Sequence, residues 1–89
     1  MTELHENKLK RLIMQSNRRG MKENDIILGN FAKKNIVNLN FDELNTYESL
    51  LIENDQDIYL WISGEKSIPS QYEKIINKIV NTLRGQKFY

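Results

Sequence analysis

The 89-residue sequence contains no cysteine, one proline, four glycines and a single histidine. Without cysteine there is no disulfide, no thiolate metal site, no iron–sulfur cluster and no cysteine nucleophile. His5 alone makes a histidine-rich metal site and a Ser–His–Asp triad poor candidates. The scarcity of proline and glycine argues against a turn-rich β-sandwich and favours helices.

Long apolar runs and a dominant charge are also missing. No stretch approaches the roughly 20 apolar residues of a membrane helix, so we expect a chain that does not span a membrane. A net charge of +1 supports neither a nucleic-acid binder nor a polybasic membrane binder. Met1–Asn7 includes two acidic residues and no apolar segment, which disfavours a secretory signal or an organelle transit peptide.

The charges that are present are segregated along the chain. Residues 8–22 contain six basic side chains and no acidic one, whereas residues 35–64 contain six acidic side chains and no basic one. This pattern is typical of two solvated faces. The alternative interpretation is a charged face that meets a partner protein.

Apolar residues recur at helical spacing through most of the sequence, which predicts an all-α fold, a small compact five-helix bundle. We expect a single domain over residues 1–89, ordered from about 3 to 85, with a short frayed tail at the C-terminus. The predicted helices cover residues 2–17, 22–34, 40–53, 56–63 and 70–84.

Residues at the predicted helix ends support these boundaries. Asn40 with Glu43, and Ser70 with Glu73, have the spacing of capping boxes. Gly20 and Gly64 are placed to end helices with a positive φ. Within the second helix, Gly29 indicates either the close approach of a neighbouring helix or a bend. Trp61 is interpreted as a core residue of the fourth helix.

Catalytic and metal-binding patterns are weak. Asp55 and Asp57 have the spacing of a calcium loop, but the glycine and glutamate that such a loop requires are absent. A DNA-reading helix–turn–helix with its turn at residues 18–21 is disfavoured because Glu23 and Asp25 would face the phosphates. We therefore predict that the chain is not an enzyme and binds neither metal nor nucleic acid.

The junction between the first two helices has the most distinctive side chains. Arg18, Arg19, Gly20, Met21 and Glu23 lie together at this corner. In one interpretation an Arg–Glu pair stabilises the turn. In the other, a rigid corner presents the arginine and the glutamate outward to a partner, with Met21 as an adaptable apolar contact. Physical reasoning leaves the two equally weighted.

Residues 18–25 closely resemble the R-G-x-x-E signature of the succinate dehydrogenase assembly factor family. The resemblance continues through a Leu-Leu segment at residues 50–55, an acidic stretch ending in Tyr59 and Trp61, and then Gly64 and Pro69. It covers residues 9–84 at nearly the spacing of family members. Asn24 departs from the pattern, because many relatives have Leu or Met there.

The resemblance implies a five-helix bundle that binds the flavoprotein subunit of succinate dehydrogenase, and in some bacteria of fumarate reductase. Such factors promote covalent attachment of FAD to a histidine of that subunit. FAD then belongs to the client protein, and this chain holds no cofactor stably. The residues implied at the interface lie at the corner: Arg18, Arg19, Gly20, Met21, Glu23 and Asp25.

The resemblance also carries expectations about the free protein. We expect a monomer before the client is bound. Because residues 1–7 disfavour a transit peptide, we predict the cytoplasm of a bacterium. The competing interpretation is a small regulatory or antitoxin-like module that acts through other protein contacts.

Overall fold

The computed structural model describes residues 3–85, which form five α-helices, two 3₁₀ turns and no strand. The helices are α1 (His5–Ser16), α2 (Lys22–Asn35), α3 (Phe41–Leu50), α4 (Asp55–Ser63) and α5 (Glu73–Gly85). The 3₁₀ turns are Ile36–Asn38, after α2, and Ser70–Tyr72, before α5. The prediction of an all-α five-helix fold is confirmed. Thr2, which was predicted to start the first helix, and the tail Gln86–Tyr89 lie outside the described residues.

Local capping fixes the start of α3 and the end of α4 as the sequence predicts, and a further cap fixes the start of α4. The Asn40 side chain accepts a hydrogen bond from the Glu43 backbone N–H at 2.8 Å, and the Glu43 carboxylate accepts one from the Asn40 N–H at 3.0 Å. Asn54 caps α4 by accepting a hydrogen bond from the Gln56 N–H at 2.8 Å. Gly64 ends α4 with a φ of 84°, a left-handed conformation that glycine adopts without steric cost.

Two of the predicted caps are wrong. Ser70 starts a 3₁₀ turn and forms no side-chain cap, so α5 begins only at Glu73. Gly20 does not end α1, because Asn17 takes that position at φ −95° and ψ 0°. Among the described residues Gly64 has the only positive φ. In both cases the helix begins or ends at a different residue from the one with the expected side chain.

A single apolar core joins all five helices. It includes Leu12, Phe31, Tyr47, Trp61 and Ile79, each no more than 5% exposed, so the prediction of Trp61 as a core residue is confirmed. Burial of this kind contributes about 1.5–3 kcal/mol per large apolar side chain. The core therefore fixes how the helices pack and where the connections between them lie.

One buried polar cluster ties three helices together inside this core. The Tyr47 hydroxyl of α3 lies 2.6 Å from the Ser16 hydroxyl of α1 and donates to the Leu28 carbonyl of α2 at 3.4 Å. Burial raises the pKa of Tyr47 to about 12. The phenol is therefore neutral at physiological pH, as a buried hydrogen-bonded group should be.

The segregated charges of the sequence meet across the fold. Glu48 of α3 pairs with Lys8 at 3.4 Å and with Arg11 at 2.5 Å, both on α1. A hydrogen bond from Arg11 lowers the pKa of Glu48 below its usual value. Part of the acidic segment is thus neutralised by the basic first helix, a result that neither interpretation of the charge pattern anticipated.

No helix among residues 3–85 is both long enough and apolar enough to cross a membrane.

Candidate functional site

The candidate site is the corner, which we define as residues 17–25 between α1 and the first turn of α2. The Asn17 side chain turns back to donate to the Ile13 carbonyl at 2.9 Å. Gly29 of α2 faces the same asparagine, and a Cβ added at Gly29 would collide with Asn17 Oδ1. The end of α1 therefore lies close to Gly29, with Ser16 O 3.8 Å from such a Cβ, which agrees with one of the two interpretations of this glycine.

The Arg19 side chain is turned inward, across the corner and toward the segment between α3 and α4. Its Nε lies 2.7 Å from Asp55 Oδ1, and its Nη1 donates to the Leu51 carbonyl at 2.7 Å. Nη2 donates to the Glu53 carbonyl at 3.4 Å. Only 9% of the side chain is exposed. The guanidinium thus binds one carboxylate and two backbone carbonyls of a segment more than 30 residues away.

Asp55, the first residue of α4, collects hydrogen bonds from three parts of the corner. It accepts from Arg19 Nε, from the Gly20 backbone N–H at 3.0 Å and from Asn24 Nδ2 at 3.1 Å. Burial alone raises the pKa of Asp55. The hydrogen bonds from Arg19, Asn24 and Gly20 outweigh burial and hold the pKa below its usual value. Asp55 is therefore ionised and fastens the corner to α4.

Asn24 completes this network from the buried face of α2. Its Nδ2 also donates to the Asp55 carbonyl at 2.7 Å, and the residue is fully buried. Sequence reasoning noted Asn24 only as a departure and missed Asp55 as a structural partner. The available signal was the spacing of Asn24, Leu28 and Phe31, which puts a polar side chain on the apolar stripe of a helix.

The interpretation that Arg19 and Glu23 both point outward is wrong for Arg19. Arg19 reaches Asp55, which offers a carboxylate beside free backbone carbonyls, and within residues 3–85 it forms no ion pair with Glu23. Glu23 is exposed, as are Arg18 and Gly20, whereas Met21 is half-buried. The corner therefore presents an exposed cation, a bare backbone and an exposed anion, supported from below by Arg19.

Asp25, the remaining predicted site residue, is half-buried, and its carboxylate accepts a hydrogen bond from the Arg19 backbone N–H. Asp25 thus contributes to the shape of the corner from within the first turn of α2. Arg19 and Asp25 form the interior of the corner, whereas the exposed side is formed by Arg18, Gly20 and Glu23.

Gly20 is not required by the conformation of the corner. Its φ lies outside the left-handed region, and a Cβ added there would be 3.5 Å from Asp55 Oδ2, an ordinary van der Waals distance. The fold therefore accepts a Cβ at this position. What the glycine provides is an exposed backbone that another molecule can approach closely.

Two clefts flank the Arg19–Asp55 bridge. The Met14 cleft, of about 260 Å³, is lined by Met14, Gln15, Arg18, Arg19, Leu51 and Ile52. The Met21 cleft, of about 540 Å³, is lined by Gly20, Met21, Asn54, Asp55, Gln56, Tyr59, Leu60 and Glu65. A third cleft, of about 580 Å³, lies between α3 and the start of α5 and does not touch the corner. Residues 3–85 contain no group of three side chains that could hold a metal ion.

Comparison with known protein families gives a match over most of the chain. The profile of the protein family described as "Flavinator of succinate dehydrogenase" matches residues 10–85, which include the corner, Asp55 and the whole core.

This chain belongs to that flavinator family.

Individual relatives carry related names. Succinate dehydrogenase assembly factor 2-A, mitochondrial, of Drosophila willistoni is 39% identical over 85 residues, which cover 88% of this chain and 54% of the relative. Succinate dehydrogenase assembly factor 2, mitochondrial, of Dictyostelium discoideum is 42% identical over 71 residues, which cover 80% and 50%. The chain spans about half the length of the curated relatives it matches.

These names correct one prediction. A bacterial cytoplasmic location is contradicted, because the relatives of this flavinator-family chain are named as mitochondrial proteins of eukaryotes. The prediction rested on the composition of seven N-terminal residues. That composition carries little weight beside similarity over most of the chain.

Proposed function

We propose that this chain binds the flavoprotein subunit of succinate dehydrogenase through the corner and thereby promotes covalent attachment of FAD to that subunit. Membership of the flavinator family supports the activity and the client. The chain acts by binding and not by catalysis, FAD stays with the client, and the free factor is a monomer.

The observation that carries this proposal is the exposed, unobstructed glycine between two exposed charges. Gly20 lies two residues after Arg18 and three before Glu23, and the fold itself makes no demand for glycine there. The fold would allow a larger residue at this position, but glycine occupies it. A glycine lets the backbone of a partner approach closely. Exposed Arg18 and Glu23 then supply charge complementarity and orientation.

Binding promotes the reaction by selecting one arrangement of the client. For a client that exists in more than one arrangement, a factor that binds the reactive arrangement more tightly raises its population by at most the ratio of the two affinities. Such a factor needs a rigid surface, and the inward-facing Arg19–Asp55–Asn24 network provides that rigidity at the corner.

The test is co-expression of this chain with the succinate dehydrogenase flavoprotein subunit, followed by in-gel flavin fluorescence of the denatured client. Gly20→Arg should abolish the fluorescence, because a long side chain blocks close approach. Asn38→Arg is the matched control, since it adds the same side chain at an exposed position beyond the far end of α2, about 20 Å away.

Both variants should keep the helical circular dichroism of the wild type. Full fluorescence with folded Gly20→Arg, or no dependence of fluorescence on the wild-type chain, would contradict the proposal.

A further inference from the structure

The Met14 cleft exposes apolar side chains that lie outside the corner. Met14, near the end of α1, is 52% exposed, and Ile52, after α3, is 83% exposed. These are two of six large apolar side chains that are exposed in the described part of the chain, and they line one cleft. Exposed apolar side chains that converge beside charged groups mark binding surfaces more often than isolated ones do.

The charge of the Met14 cleft is of one sign. Arg18 and Arg19 line it, no carboxylate does, and within residues 3–85 Arg18 forms no ion pair. The Met21 cleft, on the other side of the Arg19–Asp55 bridge, has the opposite character, with two carboxylates and no cation. Arg19 is already occupied, so Arg18 is the cation of the Met14 cleft that remains available to a visitor.

The size of the Met14 cleft indicates the kind of visitor. About 260 Å³ lies below the roughly 300–1,000 Å³ typical of small-molecule and cofactor pockets. The volume suits one or two side chains of another protein. A partner that matches both the apolar lining and the free guanidinium carries an apolar side chain next to a carboxylate.

We propose that the Met14 cleft is a second docking site for the flavoprotein subunit, and that it takes an apolar side chain of that subunit with a neighbouring carboxylate bound to Arg18. This inference rests on the proposed function. Arg18 belongs both to the Met14 cleft and to the exposed side of the corner, so one partner surface covers both. The client is then held at two points on either side of the Arg19–Asp55 bridge.

Methionine methyl groups provide a direct test, because one methionine lines each cleft. The chain is labelled with ¹³C at the methionine methyl groups, and the Met14 and Met21 signals are assigned with Met14→Leu and Met21→Leu. Titration with unlabelled flavoprotein subunit should shift or broaden both signals. If the Met21 signal responds and the Met14 signal does not, the second docking site is excluded while the proposed function stands.

Dissociation constants of charge variants with the flavoprotein subunit test the same site quantitatively. Ile52→Glu and Arg18→Glu should each weaken the complex with the flavoprotein subunit at least tenfold. Arg18→Glu places a carboxylate opposite the client's carboxylate, and Ile52→Glu places one against the client's apolar side chain. Val37→Glu is the matched control: it is a β-branched residue, 66% exposed, beyond the far end of α2. It should change the dissociation constant less than twofold.

The outcomes separate this inference from the proposed function. Wild-type binding with unaffected Ile52→Glu overturns the docking site alone, because Ile52 is not part of the corner. Unaffected Arg18→Glu would also remove the charge contact of the corner. No binding by the wild-type chain overturns both. A concentration-dependent dimer of the free chain that Ile52→Glu abolishes makes a second copy the occupant, which also overturns the inference.

Discussion

Two arginines of the basic segment each reach a carboxylate of the acidic segment, in very different surroundings. Arg11 binds Glu3 at 2.8 Å and Glu48 at 2.5 Å, and 36% of its side chain is exposed. Arg19 binds Asp55 at 2.7 Å, with 9% of its side chain exposed and two backbone carbonyls as further acceptors. The two pairings are alike in the charges they join, but the structure depends on them unequally.

The difference lies in what each guanidinium would leave unsatisfied. Around Arg11 the guanidinium and both carboxylates are each about one-third exposed, so water can replace either partner at little cost. Around Arg19, the carbonyls of Leu51 and Glu53 and the carboxylate of Asp55 are partly withdrawn from water. Removing one partner of such a group leaves the others without compensation.

The largest expected effect is therefore the loss of Arg19. Arg19→Ala should lower the free energy of unfolding by about 2–4 kcal/mol, measured by urea denaturation followed by circular dichroism. An Arg19 side chain displayed outward, as one interpretation of the sequence had it, would lose almost nothing on truncation, and the structure reverses that expectation. Arg19→Lys, which keeps the charge without the planar fork, should recover part of the loss. An unchanged unfolding midpoint for Arg19→Ala would remove the distinction from Arg11.

That reversal shows which parts of the molecule the sequence could reveal. The capping box at Asn40 and the cap at Gly64 depend on residues three or four apart, and both were predicted correctly. The apolar stripe of α5 is equally local. The Arg19–Asp55 bridge joins residues 36 apart in sequence, and it exists only because the core places α4 beside the corner. Spacing along the chain carries no information about such a pairing.

The exposed side of the corner lies between these extremes. Arg18, Gly20 and Glu23 are exposed at the helix junction, as an outward-facing corner requires. The inward turn of Arg19 was not anticipated, because the carboxylate that binds its guanidinium, Asp55, lies 36 residues away in sequence. The prediction that α5 starts at Ser70 was also wrong. Ser70 has the residue type of a cap, but the backbone there forms a 3₁₀ turn.

Acid should weaken the Arg19–Asp55 bridge, because it protonates Asp55. Its pKa is lowered in the folded protein, so the ionised carboxylate stabilises the fold above its unfolded pKa and this contribution is lost as the pH falls through the folded pKa. Asp55→Asn should cost about 1–2 kcal/mol at pH 7, and the difference from wild type should shrink below about pH 4. Urea titrations of both proteins at pH 7 and pH 3 measure this. A difference that is constant with pH would mean that Asp55 acts through shape and not through charge.

Glycine substitutions test whether side chains or backbone conformation hold the corner. Gly64→Ala places a Cβ at a φ of 84° and should cost about 1 kcal/mol. Gly20→Ala adds a Cβ at an ordinary distance from Asp55 and should change stability by less than about 0.5 kcal/mol. Thermal denaturation of the pair checks both values. A large loss in Gly20→Ala would mean that backbone conformation, and not the Arg19 side chain, holds the corner in place.

The smallest expected effect is the loss of Arg11. Arg11→Ala should lower the free energy of unfolding by at most about 0.5–1 kcal/mol, because its partners lie at the surface. The deficit should decrease further in about 1 M salt, where exposed charges are screened. Urea denaturation at low and high salt makes the measurement. A loss as large as that of Arg19→Ala would make the two arginines equivalent.

The 36-residue separation of Arg19 and Asp55 also has a consequence for synthesis. A growing chain emerges N-terminus first, so residues 18–25 leave the ribosome well before the carboxylate that holds them in place. A translation product that stops at Leu50 contains residues 18–25 but lacks Asp55 and the two carbonyls that bind Arg19. The corner therefore takes its shape only late in production of the chain, once Asp55 has emerged.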